Sequence, residues 1–74
     1  MNAKTIKLYG GPHDGEIIVV PYTQVEWQTT DRFPAEQDKQ GVWHDSVVTV
    51  YRETNHAAAS GEVIFSCYES LLMG

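Results

Sequence analysis

Three histidines, one cysteine and a glycine-rich hexapeptide carry most of the residue chemistry in this 74-residue chain. His13-Asp14 and His44-Asp45 place an imidazole beside a carboxylate twice, and His56 adds a third imidazole. These are metal-ligand and acid–base types, and imidazole changes charge near neutral pH. A metal-dependent hydrolase built on His13, Asp14, His44 and Asp45 is therefore one reading. Adjacent residues on a strand point to opposite faces, so neither dipeptide can present both side chains from regular β structure. Each pair needs a loop, and aspartate is common in loops for reasons of turn geometry alone. No spacing matches a known metal site, and none is assigned. Cys67 falls in the alternating series Val63, Phe65, Cys67, the pattern of a small core residue rather than a nucleophile. The serines lack any context that would activate a hydroxyl. A catalytic residue is therefore not assigned either, and the sequence calls for no cofactor.

Gly10-Gly11-Pro12-His13-Asp14-Gly15 is the most distinctive local signal. Pro12 presets φ for a turn, Asp14 can bond nearby amides, and the glycines permit positive φ or close backbone approach. Its structural meaning is a well-specified hairpin turn. Its functional meaning is a loop in which Gly11, Pro12, His13 and Asp14 meet an anion or a partner. Phosphate cradles of the P-loop or Rossmann kind lead into a helix, whereas this turn leads into an apolar strand. Aromatic residues supply the other candidate surface. Trp27 and Trp43 flank a polar stretch that contains Arg32, and Trp and Arg are enriched at binding hot spots. Trp27 alternates with Val25 as a core residue would, while Trp43, following Gly41 and Val42, fits core or surface equally.

The elements that must position these residues have period two. Residues 5–9 put Ile6 and Leu8 on one face. Residues 16–20 hold Ile17, Ile18, Val19 and Val20 in succession, the pattern of a strand covered on both faces, so they predict a central strand ended by Pro21. Residues 24–29, 46–52 and 62–68 predict three more strands, the last two joined as a hairpin across residues 53–61. The charged stretch 30–41 predicts a surface excursion with one helical turn at residues 35–40. The expected fold is all-β, or β-rich α+β: one domain over residues 1–74 with a small, meander-like antiparallel sheet of four or five strands and at most one short helical turn.

Lys7-Leu8-Tyr9, the Gly-Gly-Pro-His-Asp-Gly turn and the following strand ending at Val20-Pro21 together resemble a group of small proteins, often encoded by bacteriophages and prophages. These open with a strand, a Gly-Gly-Pro-x-Asp-Gly turn and a second strand. Tyr51-Arg52, Gly61 and the aromatic strand at Phe65 and Tyr68 fit the same layout. The resemblance covers about a third of the chain and transfers no activity to any residue. It implies a phage accessory protein acting on a host component in the host cytoplasm.

Composition narrows the field further. Hydrophobic residues make up 42 % and charged residues 20 %, as in a folded domain. A net charge of −5 argues against a phosphate-driven nucleic-acid binder. The acids are too scattered, and too often interrupted by cations, to imitate a phosphate ladder. No apolar run approaches the roughly 20 residues of a membrane span, and residues 1–5 lack a signal peptide's apolar stretch. The leading expectation is a non-enzymatic module that binds and inhibits a host protein. The alternative is capture of a small anionic ligand such as a signalling nucleotide. A single sheet leaves one face to be covered, so a homodimer is expected, with a tightly curled, barrel-like monomer as its rival.

Overall fold

The computed structural model describes residues 2–74. It contains five strands: β1 (Ala3–Tyr9), β2 (Ile17–Pro21), β3 (Glu26–Gln37), β4 (Trp43–Ala57) and β5 (Val63–Met73). They form one sheet in the order β2-β1-β5-β4-β3, and no helix occurs among the described residues. The all-β expectation holds. The helical turn expected at residues 35–40 is absent, because β3 continues to Gln37 and the chain then turns.

The sheet is mixed, not purely antiparallel. Strands β1–β2, β3–β4 and β4–β5 pair antiparallel, while β1 and β5 run parallel, with Ile6 beside Val63 and Tyr9 beside Ser66. Direction reverses at every connection, so the first and fifth strands point the same way. Their pairing is parallel by necessity.

That strand order forces the sheet to curl. Strands β2 and β3 are its two edges, yet only residues 22–25 join them. In a flat five-stranded sheet the edges would lie about 19 Å apart, at roughly 4.8 Å per strand. The link reaches about 17 Å even when fully extended. The hairpin β1–β2 is therefore folded over, and the concave side becomes the core. Ile6, Leu8, Val20, Tyr51 and Phe65 fill it, with Ile18, Trp27, Val63 and Cys67 at its margin. The sheet thus covers its concave face by its own curl.

Strand β2 is an edge strand, which overturns the central placement expected from its β-branched run. Ile17 and Val19 are 58 % and 68 % exposed, while only Val20 is fully buried. The register explains Pro21. Leu8 and Tyr22 donate to Glu16 and Asn2, so Ile18 and Val20 turn their amides toward β1 and Pro21 faces the open edge. A missing N–H costs nothing there. β-Branched residues favour the extended backbone whether or not they are covered, so the run reported strand propensity and not burial.

The surface excursion expected over residues 30–41 is also corrected. Most of it is strand, pairing with β4 as far as Gln37, with a register shift between Arg32 and Glu36. Pro34 falls within that irregular segment, where the ladder needs no amide from it. Arg32 and Glu36 are exposed on this edge strand and Asp31 is half-buried against His13, so each is readily accepted and the polarity concealed the strand. The expected strands at residues 46–52 and 62–68 are likewise cores of longer elements. The β4–β5 connection shrinks to residues 58–62. It closes with the Ala58 amide on the Glu62 carbonyl and the Gly61 amide on the Ala58 carbonyl. Residues 38–42 close the β3–β4 hairpin through the equivalent bonds. Beyond the end of β1, strands β3, β4 and β5 continue as a three-stranded extension, in which Val47 pairs with Leu72 and Val48 with Leu71.

Candidate functional site

The first turn is built from its own residues and from Tyr51. The Gly10 amide donates to Asp14 Oδ1 at 2.7 Å, the Asp14 amide to the Gly11 carbonyl at 3.3 Å and the Gly15 amide to the Leu8 carbonyl at 2.7 Å. Tyr51 Oη, in β4, donates to the Gly10 carbonyl at 2.9 Å and accepts from the His13 amide at 3.1 Å. Burial pushes this phenol above the usual tyrosine range. The amides of Gly10, His13, Asp14, Gly15 and Glu16 are thus consumed inside the turn and its support. An anion needs such amides directed outward. The carboxylates of Asp14, Glu16 and Asp31 lie in the same neighbourhood and would repel it. Pro12 is exposed at the tip of the turn.

His13 is held between two carboxylates. Its Nδ1 bonds Glu16 Oε2, and its Nε2 lies 2.9 Å from both oxygens of Asp31 on β3. Hydrogen bonds to Glu16 and then Asp31 raise its pKa above the ordinary histidine value, although desolvation opposes them. His44 forms its own pair, with Nε2 2.8 Å from Asp38 Oδ2. That bond, with the Val42 amide next, lowers the Asp38 pKa below its usual value. Neither histidine pairs with the aspartate that follows it. Asp14 braces the Gly10 amide and Asp45 faces Arg32 at 4.0 Å. Among the described residues no three His, Cys, Asp or Glu side chains converge as ligands for a metal ion. The four-residue set considered for a hydrolase is therefore dispersed over separate turns and strands.

The aromatic candidates divide as well. Trp27 packs against the core, as its alternation predicted, but Val25 is exposed. Trp43 is 58 % exposed and pairs with Gln37 at the start of β4. Arg32 is exposed on β3, opposite Ser46. Gly11, Pro12, His13 and Asp14 thus share one turn, Arg32 and Trp43 lie on the extension, and Trp27 belongs to the interior. On that extension Val42, Leu71, Leu72 and Met73 join Trp43 as exposed large apolar residues. Leu71, Leu72 and Met73 went unassigned in the sequence because they follow the aromatic strand signal that stopped at Tyr68. Glu16, Asp31 and Tyr51, which hold His13, were also missed. Their positions are 3, 18 and 38 residues from it, and only the last two depend on the tertiary fold.

The two ends of the concave core are closed differently. At one end Lys4, on the same face of β1 as Ile6 and Leu8, pairs with Glu53 and lies 5.4 Å from the Phe65 ring centre and 5.7 Å from that of Tyr22. At the other end His13 bridges to Asp31.

The class defined is a small curled five-stranded sheet with a filled core and an apolar extension. Comparison with protein-family models, curated proteins and solved structures finds no match for the chain.

Proposed function

We propose that the chain is a non-enzymatic binding module that docks through the β3–β4–β5 extension. One observation carries this reading: Val42, Trp43, Leu71, Leu72 and Met73 are all exposed on that extension. Isolated exposed apolar residues are ordinary, but here both faces of one three-stranded segment carry them. The consecutive strand residues Leu71 and Leu72 point to opposite sides, and both are exposed. The extension also bears Glu36, Asp38, Asp45 and Glu69 against Arg32 and Lys39, so the complementary partner is a protein surface with apolar pockets and a basic rim. Resemblance of the first turn to phage- and prophage-encoded proteins makes that partner a host protein, bound and inhibited in the host cytoplasm. The internally satisfied turn weighs against the anionic-ligand alternative.

The test is capture from bacterial lysate, followed by affinity measurement with the purified partner. Trp43→Ala is expected to weaken binding by about tenfold to a hundredfold, the scale of a tryptophan hot spot. Its melting temperature should stay near wild type, because surface changes usually fall within about 0.5 kcal/mol. Unchanged affinity overturns the assignment of this surface. Stoichiometric release of a small anion on denaturation favours the ligand alternative.

Homodimerisation is a second reading, supported by the exposed outward side chains of Ile17 and Val19 on edge strand β2. Sedimentation equilibrium is expected to show a mass above 8.3 kDa at micromolar concentrations. A constant monomer mass across the dilution series excludes it.

A further inference from the structure

Neutral imidazole carries a single N–H, yet both ring nitrogens of His13 face carboxylates. Only the imidazolium can donate to Glu16 and Asp31 together. The bond to Asp31 also spans the fold. His13 belongs to the turn after β1, and Asp31 lies on β3, three strand positions away through β5 and β4. Those positions would be about 14 Å apart in a flat sheet. His13 therefore ties the folded-over hairpin to the far edge strand, above Tyr51.

We propose that His13 is a proton-operated latch that fastens the β1–β2 turn to β3 and closes one end of the curled sheet. The inference stands apart from the docking surface and from any partner. The groups facing the latch are Glu16 from its own turn, Asp31 from β3, Tyr51 from β4 and Cys67 from β5. Tyr51 Oη and Cys67 Sγ both lie close beneath Gly11. Asp14 is adjacent but engaged with the Gly10 amide. Among the described residues no Lys or Arg is paired with Glu16 or Asp31, so the latch cation is the imidazolium itself. The Lys4–Glu53 pair closes the opposite end with an ammonium cation. The His13 end is held by an imidazole, the side chain that changes charge near neutral pH.

The direction with pH follows from the raised His13 pKa. A basic group with a raised folded-state pKa contributes fully below its unfolded value, about 6.5, and loses that contribution as pH climbs through the folded value. The latch is therefore fastened in mild acid and loosened in mild base. Side-chain exposure of His13 is 23 %, so bulk protons reach it without unfolding.

Three measurements on the intact chain test the latch. Nitrogen-15 NMR of the imidazole is expected to show both ring nitrogens of His13 protonated at about pH 6.5, with a midpoint above that value. Melting temperature is expected to fall from about pH 6 to about pH 8.5 in the wild type, and less steeply in His13→Gln and Asp31→Asn. His44 and His56 are common to all three proteins, so the difference in slope isolates the His13–Asp31 contact. After correction for intrinsic exchange, the His13 amide bonded to Tyr51 should lose protection over the same range. A midpoint at or below about 6.5 in the wild type overturns the proposal even if the variants fail to fold. A wild-type slope in folded His13→Gln, or unchanged amide protection, overturns it too.

Discussion

Phe65→Ala is expected to cost about 3–5 kcal/mol, the range for truncating a fully buried aromatic ring. Phe65 is completely buried and forms the core cluster of the curled sheet with Ile6, Leu8, Val20 and Tyr51. A domain of 74 residues has a total stability of roughly 4–11 kcal/mol, at about 0.05–0.15 kcal/mol per residue. The variant should therefore lose much or all of its cooperative folding transition. The curl leaves little scope for repair, because β1 and β5 are pinned by their ladder at Leu8 and Phe65 and cannot close on the void independently. Urea denaturation followed by tryptophan fluorescence measures the loss. A midpoint close to wild type would contradict a core centred on this ring.

Gly11→Val is the second large effect, expected at about 3 kcal/mol, and Gly15→Val is its control. Both glycines have positive φ, 67° and 89°. A side chain in that conformation costs about 1–2 kcal/mol. Only Gly11 also lacks room. A Cβ there would stand 2.7 Å from Tyr51 Oη and 3.2 Å from Cys67 Sγ, whereas at Gly15 nothing lies within 4 Å. The Tyr51 hydroxyl cannot retreat cheaply, because it donates to Gly10 and accepts from His13. Displacing it adds the loss of those bonds, about 0.5–1.5 kcal/mol each. Gly15→Val should cost about 1 kcal/mol or somewhat more through backbone strain alone. Equal losses at the two positions would mean that Tyr51 does not support the turn as described.

Short-range physics explains what could be read without the fold. Alternation along the chain placed Ile6 with Leu8 and Val63 with Phe65 and Cys67, and both sets face the interior. Gly10, Gly11 and Gly15 marked the first turn because the need for positive φ is local. In each case the determining atoms lie within a few residues, so residue type alone carries the information. Four of the strands follow from the same alternation and β2 from its β-branched run, although polarity hid the far part of β3 and the strand signal of β5 stopped at Tyr68.

Strand order was decided only in three dimensions. The β-branched run Ile17–Val20 looks the same at an edge and in the middle of a sheet, because propensity concerns the backbone and burial concerns neighbours. β2 lies at the edge because β5 occupies the other side of β1. Partners of the chemical groups were hidden for the same reason. His13 stands next to Asp14 in sequence but bonds Asp31, and Lys4 finds Glu53 49 residues away. Adjacent residues on a turn diverge, while the four-residue link from β2 to β3 folds distant carboxylates over the hairpin. Trp27 and Trp43 were equivalent as residue types, yet one lies over the concave core and the other on an extension that β1 does not reach. The sequence by itself determined extended backbone, turn positions and an interior face; the tertiary structure decided which strand became an edge, which acids met the cations and which tryptophan stayed in water, because those outcomes depend on pairings between residues far apart along the chain.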